Sequence, residues 1–574
     1  MTSRRGCVVF AAIVACGKAG PAHGPADSGI ATGSDAAAPA CALGAVQCEG
    51  YDTIQTCVAS GWSSAPCASP AACLDNTCTT TCTDTCNLGD TRTGSDGTMQ
   101  TCQLWSVATR MPVMAGSGLA DRARLYNAYL RDNGMPAGQV TYMEYATSDL
   151  TTIAGYSDQG DSAIFTGTYL AAEALRYKAT QSPDALANVT AIVQTLHTLW
   201  NVAGSGSPGY LARFAAPTTS SATLLDSSFS SSDPYDHFSA SYAGQTYDWK
   251  GHVSRDQYQG VVLGYSVAYD VLTDETVRDL IRGDMVTFAN ELMKTRTLYP
   301  TIDGVPSPIP FNVQYCVLTD QEPLNIQIGS GTEALTGIQE FMPSLFGLYP
   351  EPTSAIQLTS AFEVALQVTA NQPAWATQNQ AIQAFFDTNV NSWLSVAQKW
   401  SYGRDCGNSY FANNIAFEPM YDLARLDTDP TRSALIRGTI LEQNMWQKGV
   451  IGDKNSWFAY IYAADAPAGS TGSESAVAMA NAQIAQFTPP PRVHLAVSNS
   501  FPADPNCPGQ ALDAIDVGQR VINDFDWQRG AWQEVDPGLP TEVYPGVDYL
   551  AAYWLARASG FLADDAPGQC TQWQ

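Results

Sequence analysis

From about Ala108 onward, apolar side chains recur at three- and four-residue spacing in stretches of roughly 15 to 20 residues, separated by polar or Gly/Pro-rich loops. Leu186, Val189, Val193, Leu196 and Trp200 share one face of a helix opened by Ser182, Pro183 and Asp184. These are a capping residue, a proline whose missing N–H costs nothing in a first turn, and an acid that complements the helix dipole. Ile164, Leu170, Ala171, Ala174, Leu175 and Tyr177 mark the preceding helix, and the same period runs through 261–271, 277–292, 361–368, 382–394, 415–426, 434–445 and 550–562. Alternation of period two is scarce, with Gly449–Ile451 and His494–Val497 among the few strand candidates. The pattern predicts an all-α domain of about a dozen helices over 107–574. No repeat of about 34 to 47 residues is visible, which favours a closed (α/α)6 or (α/α)7 toroid over a helical solenoid.

The N-terminal part reads differently. Arg4 and Arg5 precede the apolar run Cys7–Ala15, which is shorter than the roughly 20 residues of a spanning helix and reads as a secretory signal over 1–15. Ile13-Val14-Ala15-Cys16 resembles the bacterial lipobox, which implies lipidation of Cys16, and Lys18 in place of an acid implies the outer membrane as destination. Residues 16–40 are mostly Gly, Pro, Ala, Ser and Asp, the composition of a flexible tether.

Nine of the 15 cysteines then fall between Cys41 and Cys102, with few large apolar residues among them. Residues 41–106 therefore read as a small module that depends on disulfides rather than on a core. Thr53–Cys57 followed by Trp62 is echoed by Thr98–Cys102 followed by Trp105, which suggests two copies of one disulfide motif. Cys316, Cys406, Cys507 and Cys570 raise the count to 13 once Cys7 is removed and Cys16 lipidated, so at least one is unpaired within the chain.

Charge narrows the partners. The net charge of −27 becomes −29 when Arg4 and Arg5 leave with the signal, and so acidic a chain is a poor ligand for nucleic acid and an awkward one for polyuronates. No H-E-x-x-H, G-x-S-x-G, Walker A loop or dinucleotide fingerprint occurs, and neither cofactor nor metal is expected.

Four islands carry candidate chemistry: Gly160–Gly167 with Tyr169–Ala172; His252–Tyr258 with Gly260; Asn413–Phe417; and Trp527–Arg529 with Pro545–Leu550, Tyr553 and Trp554. Together they resemble secreted bacterial (α/α) toroid (six-hairpin type) carbohydrate-active enzymes. The resemblance implies a monomeric surface lipoprotein acting on an oligo- or polysaccharide.

Hydrolysis needs one protonated and one ionised carboxyl across the scissile bond, and Asp161 and Asp256 are the candidates, with Asp248 and Asp548 as substitutes. Both also suit purely structural roles: Asp161 precedes a helix as an N-cap, and Ser254-x-x-Gln257 has the spacing of a capping box. A lyase or epimerase would instead use His252, Tyr258 and Arg255 with Asn413 at the substrate carboxylate. A third reading is non-catalytic glycan binding through aromatic residues, with Trp527 and Arg529 in a loop that reaches the cleft and Asp548 beside it.

Overall fold

The computed structural model of the protein describes residues 41–95, 97–113, 118–218, 225, 228–326, 335–341, 351–404, 406, 410–563 and 568–574; the signal, Cys16 and the tether lie outside them. Helix makes up 43% and strand 20%, so this is a mixed α and β protein, and the expectation of an all-α toroid is corrected. Most of the strands escape a reading by periodicity because they run only two to four residues, which is too short for alternation to register. Gly449–Ile451 forms no strand: Gly449 and Val450 end a π-helical stretch, Leu435–Val450. His494 and Val497 instead belong to two short strands, Arg492–His494 and Val497–Ser498.

The helices are α1 (Leu119–Asn133), α2 (Ser162–Thr180), α3 (Pro183–Asn201), α4 (Arg255–Val271), α5 (Glu275–Met293) and α6 (Pro352–Thr369). They continue with α7 (Ala376–Ala397), α8 (Phe411–Leu426), α9 (Pro430–Ala434), α10 (Ser456–Asp465), α11 (Ser473–Ile484) and α12 (Val547–Ala558). Packing follows a cycle: α2 contacts α4, α4 contacts α6, and the series runs through α8, α10 and α12 back to α2. These six are buried on nearly every side; in α6 only Pro352 and Gln367 escape burial. Helix α7 shows the opposite pattern, burying a stripe of Ile382, Phe386, Val390, Trp393, Leu394 and Ala397 against α6 and leaving the rest exposed or half-buried.

Glycine sets the tightest contact. A Cβ on Gly260 would stand 2.2 Å from Ile164 O, and one on Gly167 would stand 2.2 Å from Gly260 C. Only hydrogen at both positions lets the backbones of α2 and α4 meet, which brings the two helix starts side by side. A four-stranded antiparallel sheet, ordered Ile153–Ser157, Tyr142–Tyr145, Leu539–Tyr544, Arg492–His494, supplies further side chains beside them.

In the N-terminal module, disulfides join Cys41 to Cys57, Cys48 to Cys73, Cys67 to Cys78 and Cys86 to Cys102. The echoed motif takes the same form twice: Cys57 and Cys102 each lie on a strand and pair with the cysteine 16 residues earlier. The ninth cysteine, Cys82, reaches Cys570, and strand Gln569–Trp573 pairs with Met99–Ser106, so the end of the chain completes the module. Cys406 bonds Cys507, and Cys316 is buried and free. Among the described residues, no helix is long and apolar enough to cross a membrane.

Candidate acidic site at two helix starts

Asp161 occupies the position of an N-cap on α2, yet its side chain caps no backbone N–H. Its Oδ1 accepts from Gln257 Nε2 at 2.9 Å and lies 3.8 Å from Arg213 Nη1. Gln257 Oε1 accepts the Ile164 N–H at 3.0 Å, and the Gln257 N–H donates to Asp256 Oδ1 at 3.0 Å. One glutamine therefore ties both candidate carboxylates to the α2–α4 contact. The expected capping box does not form, because Ser254 caps no N–H and its Oγ accepts from Arg213 Nη2 at 3.0 Å.

Two acids that sequence reasoning missed join this cluster. Asp524 Oδ1 accepts from the Tyr142 hydroxyl at 2.5 Å, and its Oδ2 accepts from Gln528 Nε2 at 3.1 Å and forms an ion pair with Arg529 at 2.8 Å. Asp158, in the left-handed region at φ 59°, is held well above the usual carboxylate range by burial and by the charges of Asp161 and Asp524. Burial, then the negative charge of Asp256, push Asp161 up to about 6 against the opposing pull of Arg213. A carboxyl in that state carries its proton into the neutral range, as a general acid must.

A third missed acid lies deeper. Glu418 of α8 is fully buried; its Oε1 accepts from Thr168 Oγ1 at 3.2 Å and Asn414 Nδ2 at 3.3 Å. Glu418 Oε2, Asn413 Nδ2 and Asn414 Oδ1 are buried without partners. Burial first, with Asp422 and Asp256 adding to it, pushes Glu418 up to about 8.

The remaining candidates separate. Arg529 alone among them reaches the cluster, through its ion pair with Asp524, and it also lines a cavity of about 300 Å³ whose walls include Tyr402, Tyr410 and Trp532. Arg255 pairs with Glu351 at 2.9 Å, next to the start of α6. His252 adopts φ 50°, stacks on Tyr235 at 4.2 Å, and donates its backbone N–H to Glu322 at 2.8 Å. Tyr258 is interior: its hydroxyl accepts from Leu211 N–H and donates to the Gly209 carbonyl, which leaves it bonded on both sides. Trp527 is fully buried in a 3-10 turn, with its indole N–H on the Asp548 carbonyl, rather than displayed on a loop. Asp548 is locked to Arg492 at 2.7 Å, and Asp248 accepts from Ser239 N–H within a hairpin.

The missed acids do sit close to the islands: Asp158 is three residues before Asp161, Asp524 is five before Arg529, and Glu418 follows Phe417. Only their burial and the charges that fold against them were invisible. Family models, curated proteins and solved structures provide no match to this chain.

Proposed function

We propose that the protein is a glycoside hydrolase, with Asp161 as general acid and Asp256 as the carboxylate that activates water or attacks the anomeric carbon. The observation that carries this reading is the state of Asp161: a carboxyl pushed up to about 6, joined through one glutamine to a second carboxylate. The cavity beside Arg529, walled by Tyr402, Tyr410 and Trp532, offers aromatic and polar surface of the kind a sugar ring packs against. The net charge of −27 favours a neutral glycan. The elimination reading has less support, since Tyr258 is buried in the interior with its hydroxyl proton donated to the Gly209 carbonyl and its oxygen accepting the Leu211 N–H.

Asp161→Asn and Asp256→Asn are each expected to lower kcat by about 10²–10⁴-fold on a neutral oligosaccharide cleaved by the parent. In the parent, the rate should fall as pH rises through about 6, because the proton Asp161 must donate is lost there. Full turnover by both variants would remove the assignment. An unsaturated, ultraviolet-absorbing product from a uronate polymer would replace it with elimination.

The disulfides support an oxidising compartment, and we place the protein there as a lipoprotein held at the outer membrane through Cys16. Cys16→Ser should move it from the membrane fraction to the soluble one. Unchanged fractionation, with no fatty acid found on Cys16, would rule out the anchor.

A further inference from the structure

A cavity of about 460 Å³ shares no residue with the acidic site and has no part in the proposed reaction. Its walls come from the last turn of α3, the segment 204–209, the hairpin Asp236–Tyr242/Gln245–Lys250 and α5. The volume falls within the range of about 300–1,000 Å³ that small-ligand sites occupy.

The walls are held by hydrogen bonds within the chain. Asp284, buried on α5, accepts from His197 Nδ1 at 2.9 Å, from Asn201 Nδ2 at 3.2 Å and from the Tyr265 hydroxyl at 2.8 Å. The Gly209 carbonyl accepts from the Tyr258 hydroxyl at 3.2 Å, and Ser207 Oγ bonds Thr319 at 3.0 Å and Asp320 at 2.9 Å. Such pre-formed walls spare a ligand the entropy of ordering them.

The lining chemistry selects the ligand. Tyr242 and Trp200 bring aromatic rings, while Asn201, Ser205 and Ser241 bring amide and hydroxyl groups that both donate and accept. Among the described residues no Lys or Arg lines the cavity, and Asp284 contributes negative charge, so phosphates and uronates are disfavoured. An amine would have to compete with the three donor side chains that the Asp284 oxygens already meet. We infer that this cavity is a second glycan site, which binds one or two rings of a neutral sugar apart from the acidic site.

The test is binding, independent of turnover. The full chain carrying Asp161→Asn is titrated with cellotriose, xylotriose, mannotriose and maltotriose, then compared with the same protein bearing Ser241→Trp or Tyr242→Ala. Ser241 is exposed and Tyr242 half-buried, so folding should survive both changes, and melting temperature verifies this. At least one trisaccharide should bind saturably, and each substitution should weaken it by about tenfold or more. The inference fails if none of the four binds, if binding ignores both substitutions, or if only a trimethylammonium probe binds and Ser241→Trp blocks it. Because catalysis plays no part in the readout, loss of the hydrolase reading alone would leave this site standing.

Discussion

Glu418 shows how one side chain's surroundings set its chemistry. Its folded-state value, about 8, lies above the unfolded 4.5, so the native protein holds this proton longer than the unfolded chain does. Its contribution to stability is therefore fully present below 4.5 and is lost as pH rises through about 8. Glu418→Gln keeps the shape but cannot ionise. Other buried acids such as Asp422 and Asp453 titrate in the same window, so thermal melts should show both proteins losing stability but the parent losing more, the gap growing by at most about 1.4 kcal/mol per pH unit. Matching profiles would mean that Glu418 ionises freely. Neither this residue nor Asp524 could be singled out from the chain, since an acid's neighbours in sequence do not report its burial or the charges that fold against it. Asp161 and Asp256 could, because each stands beside a recognisable helix start.

At the level of elements, the contact of α2 with α4 positions the site. Gly260→Ala would drive a methyl group into the Ile164 carbonyl and should cost about 1–3 kcal/mol or more in urea unfolding, with activity falling further as Asp256 moves relative to Asp161. Gly283→Ala in α5 is the control: its Cβ would meet nothing within 4 Å, and the substitution should stabilise by about 0.4–1 kcal/mol. Equal effects from the two would deny the close approach. Helices with one buried face, such as α3 and α7, were legible from their period. Helix α10 was not, because its 10 residues, Ser456–Asp465, make fewer than three turns and seven of them in a row are buried, too short a stretch for the period to show. Most strands, at two to four residues, were too short for a period to register, and the Ser254-x-x-Gln257 spacing pointed to a cap that Gln257 forgoes in order to reach Asp161.

Across the whole molecule, the chain closes on itself. Cys82–Cys570 and the pairing of Gln569–Trp573 with Met99–Ser106 fasten the last residues to the module. The double variant Cys82→Ser/Cys570→Ser should lose about 2–5 kcal/mol of stability and become sensitive to proteolysis before the final strand. An unchanged melting temperature and digestion pattern would show that the bridge does no more than decorate an interface held by the strands. The sequence by itself determined most helices, the disulfide-dependent module and its twofold motif, and the two acids at helix starts, since all of these rest on residues within about twenty positions of one another. Tertiary structure alone decided the mixed class, the partner of Cys82, the joining of Asp158 and Asp524 to Asp161, and the withdrawal of Tyr258 and Trp527 into the interior. Each of those depends on burial and contact between segments up to hundreds of residues apart, where local spacing carries no information.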